Sequence, residues 1–265
     1  MSTVLTTRRA AASLVTAALL VPLAACGTGD DGKKGADGAQ QDGQQTELTV
    51  LAASSLTDVF KAAGAAYEKK HPGTEVKFSF AGSQALAAQV KQGAPADALV
   101  TADEKTMAGL RSETGTPAII AKNRLVIATG KGNPENIKDL KDLAGSELKV
   151  VLAAPEVPVG RYSKRVLDKQ DITVKPVSQE PSVRAVLSKV ELGEADAGIV
   201  YKTDVTASGG RAEGVDIPDE QNAIAAYPAA TLKTSEHADA AAEFVKWLGT
   251  PEAQKILQEA GFQKP

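Results

Sequence analysis

From Glu47 onward the chain alternates short strand-type runs with longer helical segments, and this alternation leaves few folds open. Thr49–Ala53 is apolar and uncharged, as expected of a parallel strand covered on both faces. Glu75–Phe80 and Asp97–Thr101 read as the next two strands. Leu56–Lys70, Gln84–Gln92 and Asp103–Arg111 read as helices after each of them. His71-Pro72-Gly73 and Gly93-Ala94-Pro95 supply stop signals for the first two helices. A βαβαβα order predicts an α/β fold, mostly parallel sheet with helices on both faces.

The pattern continues to the end of the chain. Ile119–Ala128 predicts a long strand or strand pair leaving the first unit. Leu148–Leu152, Ile172–Val177 and Ala197–Val200 predict strands, with helices at Leu140–Leu143, Gly160–Lys169 and Val183–Leu192. Val215–Pro218 reads as extended, and Ala223–Leu232 as a strand that returns the chain to the first unit. His237–Leu248 and Pro251–Ala260 predict closing helices, the second with Pro at its first helical position.

Leu51–Phe60 carries the first chemical signal. Ser54 and Ser55 stand where an N-cap belongs, and Asp58 follows Ser55 by three residues, an imperfect capping-box spacing. A helix start leaves backbone N–H groups unpaired and holds the positive end of the helix dipole. Two hydroxyls beside it make a site suited to an anion. Gly82-Ser83 opens the second helix in a similar way. Leu152-Ala153-Ala154 repeats Leu51-Ala52-Ala53, again ahead of a loop and helix. Ligands in such folds bind beyond the carboxyl ends of strands. A cap without a ligand, and a chance repeat in an Ala-rich chain, would leave the same traces.

The N-terminus predicts the compartment. Arg8 and Arg9 precede an apolar stretch, Ala10–Ala25, that is short for a membrane span and runs straight into polar sequence. Residues 1–25 therefore read as a signal peptide. Leu23-Ala24-Ala25-Cys26 matches a bacterial lipobox, which predicts lipidation and cleavage at Cys26. Cys26 is the only cysteine, so no intramolecular disulfide can form. Arg8-Arg9 lacks the residues that usually follow a twin-arginine export pair, which leaves the export route open. Residues 26–46, rich in Gly, Asp, Gln and Lys, predict a lipidated flexible tether with a reach of about 25 Å.

Several function classes are disfavoured. A net charge of −3 argues against a general nucleic-acid surface, and 4% aromatic residues against a stacking platform. A serine hydrolase would need a base near Ser55, but the only histidines are His71, in a helix-ending turn, and His237, at a surface-type helix start. No Walker-type loop and no metal-spaced His/Cys cluster is present in the sequence. Asp58, Asp97 and Asp103 fit helix caps or solvated positions better than catalytic ones. A tethered interaction module stays open, though it would not need hydroxyls at successive helix starts.

Ordered motifs then narrow the reading. AASSLT (Ala52–Thr57), FAGSQALAAQV (Phe80–Val90) and GAPADALVTAD (Gly93–Asp103) come first. PEVPVGRY (Pro155–Tyr162), PSVRAVL (Pro181–Leu187), DAGIVYKTD (Asp196–Asp204) and AAYPAA (Ala225–Ala230) follow. In this order, from Leu48 to Phe262, the chain resembles the periplasmic molybdate-binding proteins of ABC transporters. The resemblance implies a two-lobe type II periplasmic binding fold with the ligand in the cleft. Lobe 1 would be residues 47–125 plus 227–265, and lobe 2 residues 126–226. The implied ligand set is Ser55 and Ser83 through hydroxyl and N–H, Val159 and Val183 through N–H, and Tyr201 through its phenol. Molybdenum would be present only as molybdate, with tungstate as a second solute and no resident cofactor. Relatives often carry Ala at the position of Ser54 and a smaller residue at that of Val159. The implied partner is an ABC permease, for a monomeric, non-enzymatic lipoprotein outside the cytoplasm, at the cell membrane. Sulfate or phosphate is the alternative solute. Arg161 and Arg184 adjoin predicted donors, and the sequence leaves open whether either touches the ligand.

Overall fold

The computed structural model describes residues 45–265. The predicted signal segment, Cys26 and the tether up to residue 44 lie outside the described residues. The first unit runs β1 (Thr46–Ala53), a 3-10 turn (Ser54–Leu56), α1 (Thr57–Lys70), β2 (Thr74–Ala81), α2 (Ser83–Lys91), β3 (Ala98–Val100) and α3 (Glu104–Ala108). β4 (Ala118–Gly130) leads into the second unit. There follow β5 (Val150–Ala153), α4 (Pro158–Lys169), β6 (Ser178–Glu180), α5 (Val183–Glu191), β7 (Ala197–Tyr201), α6 (Lys202–Ala207) and β8 (Ala212–Asp216). β9 (Ile224–Thr231), α7 (Ala238–Trp247) and α8 (Pro251–Glu259) complete the chain.

Strand pairing divides the molecule in two. β1 pairs in parallel with both β2 and β3, and β3 pairs antiparallel with β9. β5 pairs in parallel with β6 and β7, and β7 pairs antiparallel with β4. The long β4 belongs to both halves. Its residues up to Arg124 pair with β9, and from Leu125 on it pairs with β7, with β8 joining from Val126. β4 and β9 are thus the strands that tie the two sheets together.

β1 shows why the strands are apolar. Leu48, Val50 and Ala52 face one core, with Phe60, Ala63 and Tyr67 of α1. Leu51 faces a second core, with Leu86, Leu99, Met107 and Leu110. Burying side chains such as Leu48 and Phe60 fully contributes about 1.5–3 kcal/mol each. Val59, Phe60, Ala63 and Tyr67 recur at helical spacing, which gives α1 one buried face. Tyr67 packs edge-on against Phe244 and Trp247 of α7, which locks the closing helix to the first sheet.

Some expectations are corrected. Ser54 and Ser55 do not cap α1; they form the 3-10 turn that bridges strand and helix, and neither makes a side-chain cap. The turn is closed instead by the Thr57 hydroxyl, which donates to the Ser54 carbonyl at 2.7 Å. Ile172–Val177 alternates in exposure like a strand but is irregular. Pro176 has no N–H for a ladder, and pairing with β5 starts only at Ser178, after Val177 N–H reaches the Val150 carbonyl. The helix predicted over Asp103–Arg111 is shorter, with Asp103 as its N-cap and Gly109 at its end. The α6 helix directly after Tyr201 was not expected.

Candidate anion site

Every predicted ligand residue follows the carboxyl end of a strand. Ser55 follows β1, Ser83 follows β2, Val159 follows β5, Val183 follows β6, and Tyr201 ends β7. The two sheets present these ends to each other, and all five residues line one small cavity of about 10 Å³. That is far below the roughly 300–1,000 Å³ of pockets for drug-sized ligands and leaves room for a solute of only a few atoms. All five are buried, between 1% and 3% exposed. None of the residues lining the cavity is charged.

The local sequence explains why donors point inward. The first bond of α2 is from Ala85 N–H to the Gly82 carbonyl, so the N–H groups of Ser83 and Gln84 precede the helical ladder. In α4, Pro158 has no N–H and Arg161 N–H is bonded to Val157, so the Val159 N–H again lies ahead of the ladder. In α5, the Ser182 hydroxyl caps Ala185 N–H at 3.2 Å, leaving the Val183 N–H at the helix start. Gly160 lets α4 begin directly on β5, since a Cβ there would lie 2.1 Å from the Ala154 carbonyl oxygen. Gly82 does the same across the cleft, where a Cβ would lie 2.3 Å from the Pro181 carbonyl oxygen.

The hydroxyls are poised as donors. Ser83 Oγ accepts the Ala102 N–H at 3.0 Å, which leaves its own proton available. The Tyr201 hydroxyl is fully buried and has no hydrogen-bond partner. Burial, and after it Tyr227, Tyr162, Asp204 and Asp103, push its phenol well above the ordinary range, so it keeps its proton. An unpaired buried hydroxyl costs about 1–3 kcal/mol, so this phenol favours an acceptor placed in the cavity.

The two arginines turn away from the cavity. Arg161 donates through Nε to Asp103 at 2.9 Å and through Nη2 to Thr106 at 2.7 Å. Arg184 pairs with Asp58 at 2.7 Å, and its Nε lies 3.0 Å from Asp204 Oδ1 without an aligned N–H, a charge contact rather than a hydrogen bond. Gln84 Nε2 donates to the Pro181 carbonyl at 2.8 Å. These contacts, Arg161–Asp103, Arg184–Asp58 and Gln84–Pro181, join the two halves around the cavity. Asp204 also accepts the Tyr201 N–H at 3.1 Å. Burial pushes its carboxyl up to about 6, against the opposing pull of Arg184 and of that N–H.

Asn123, Asp204 and Tyr227 were not singled out from sequence. Tyr227 and Asp204 each left one trace, a place in AAYPAA and at the end of DAGIVYKTD; Asn123 left none that marks a site.

Two α/β lobes closing on a small uncharged cavity of donors define a solute-binding protein for an anion. The family described as bacterial extracellular solute-binding protein matches residues 48–263, and the chain belongs to it. A molybdate-binding protein of Mycobacterium tuberculosis is 37% identical over 95% of this chain and 97% of its own length. A periplasmic molybdate-binding protein of Azotobacter vinelandii superposes with a TM-score of 0.70 at 23% identity, covering 82% of this chain and 99% of that one. A sulfate-binding protein of M. tuberculosis superposes with a TM-score of 0.73 at 22% identity, covering 83% and 87%. The last two share the type II two-lobe fold; at that identity the fold alone is shared, and it serves more than one oxyanion.

Proposed function

We propose that this protein captures molybdate, and tungstate in its place, outside the cytoplasm and delivers it to an ABC permease. The observation that carries the reading is the buried, unpartnered Tyr201 hydroxyl at a cavity otherwise lined by serines and helix starts. Such a lining stabilises a dianion with oriented neutral donors and dipoles, without a cation. The choice of molybdate over other oxyanions is supported by the 37% identical mycobacterial relative. Molybdenum would enter as the oxyanion, held through its oxygens by Ser55, Ser83, Val159, Val183 and Tyr201.

The protein acts by binding rather than by catalysis. Lobe 1 comprises residues 47–125 plus 227–265, and lobe 2 residues 126–226. The exchange of β4 partners between Arg124 and Leu125 supports the first boundary. Lipid on Cys26 would hold a monomer at the membrane while the tether lets it reach the permease. Native mass spectrometry of protein purified without added ligand tests the reading. A bound mass equal to molybdate, gained on addition to stripped protein, is expected. No adduct at a molybdate excess would contradict it.

A further inference from the structure

We propose that Tyr227 is a positioning residue that, oriented by Asn123, occupies an acceptor site of the Ser55 hydroxyl and frees its proton for the bound oxyanion; this rests on the reading above. Tyr227 is fully buried on β9, one of the two strands that tie the sheets together. Its hydroxyl oxygen lies 2.9 Å from Ser55 Oγ. Geometry alone permits either hydroxyl to donate, so the direction is set by what else faces them.

Asn123, on β4, decides it. Its Oδ1 accepts the Arg124 N–H at 2.9 Å, which turns the amide so that Nδ2 faces the other way. That Nδ2 donates to Thr203 Oγ1 at 2.8 Å and, in a longer bond of 3.5 Å, to the Tyr227 hydroxyl. A phenol oxygen facing an N–H cannot also point its own proton there. The Tyr227 proton therefore goes to Ser55 Oγ. Ser55, accepting from Tyr227, keeps its own proton free for a group in the cavity it lines.

The opposite serine is set by the same logic with different parts, since Ala102 N–H donates to Ser83 Oγ. One hydroxyl is polarised by a backbone amide beside it, the other by a chain of side chains that starts 68 residues away at Asn123, since 123 − 55 = 68. Burial keeps the Tyr227 phenol neutral, so the chain transmits orientation and not charge. A cavity in which both serines have an acceptor site already occupied and a proton free favours an anion without protons. It rejects one that must itself donate, such as hydrogen phosphate.

Tyr227→Phe tests this while keeping the ring, which packs edge-on against Phe262 and Tyr201. Molybdate affinity would be measured by calorimetry for the full chain, Tyr227→Phe, Ser55→Ala and the double variant, with thermal melts to verify folding. The proposal expects Tyr227→Phe to weaken molybdate by about fivefold or more, and to add nothing once Ser55 is Ala. It also expects the ratio of phosphate to molybdate affinity to rise in Tyr227→Phe, because Ser55 can then accept. A loss that persists in full in the Ser55→Ala background would assign Tyr227 a merely structural role and overturn the relay. An unchanged affinity in Tyr227→Phe would overturn it as well. If wild type ignores molybdate, or Ser55→Ala binds as wild type does, the proposed site fails, and the relay with it.

Discussion

The two walls of the cavity solve one problem with different materials. On the proposed first lobe the proposed donors include side chains, Ser55 and Ser83, each with its oxygen already accepting or placed to accept a bond. On the proposed second lobe, Val159 and Val183 would offer the N–H groups of helix starts, and their apolar side chains are buried in the core. Tyr201 stands between these types, a side-chain donor at a strand end. The first wall can be broken by removing one oxygen. The second is written into backbone geometry, so truncating its side chains should leave its donors in place.

The largest effect should come from the first wall. Ser55→Ala and Ser83→Ala each remove a hydrogen bond to a buried dianion, a contribution of about 1.5–3 kcal/mol. Calorimetry should give at least about a tenfold weaker affinity for each. Tyr201→Phe should separate binding from stability. Affinity should fall, while the ligand-free protein loses no stability in denaturant melts, because no protein group bonds that hydroxyl. A stability loss in ligand-free Tyr201→Phe would mean that the hydroxyl has a partner in the protein.

Asp204 carries a pH signature. Its carboxyl is raised from 3.8 to about 6 in the fold, so the neutral form is favoured there. Its stabilising contribution is full below about pH 4 and is lost as the pH rises through about 6. Melts of wild type and Asp204→Asn across this window should show the variant gaining relative to wild type with rising pH. A constant difference would place the Asp204 carboxyl in its ordinary range. The smallest effect is expected for Val159→Ala, whose affinity should stay within about threefold of wild type because its role is assigned to the backbone. A loss as large as that of Ser83→Ala would erase the contrast between the walls.

The two walls also differ in how far the sequence exposes them. Ser55 and Ser83 sit beside recognisable strand ends and helix starts, so local pattern reaches them. Val159 is reached only through the family resemblance, since the local pattern predicts a helix from Gly160 whereas the fold starts it at Pro158. Distant pairings leave no local pattern. Ser55 meets Tyr227 across 172 residues, and Arg161 meets Asp103 across 58. Motif proximity left open whether either arginine touches the ligand; the fold gives each of them a carboxylate partner. The run Ile172–Val177 has a strand-like alternation, but Pro176 withholds the N–H that pairing requires.

The central claim is that these donors select a proton-free oxyanion of molybdate size. A competition titration of ligand-stripped protein with molybdate, tungstate, sulfate and phosphate tests it most directly. Hydrogen phosphate would bring a proton to a cavity of donors, leaving a buried group unpaired at a cost of about 1–3 kcal/mol. Sulfate has the right charge but shorter bonds, so donors fixed at helix starts could not all reach it. Tungstate should displace molybdate near equimolar concentration, while sulfate and phosphate should not. Displacement by equimolar sulfate or phosphate would contradict the account.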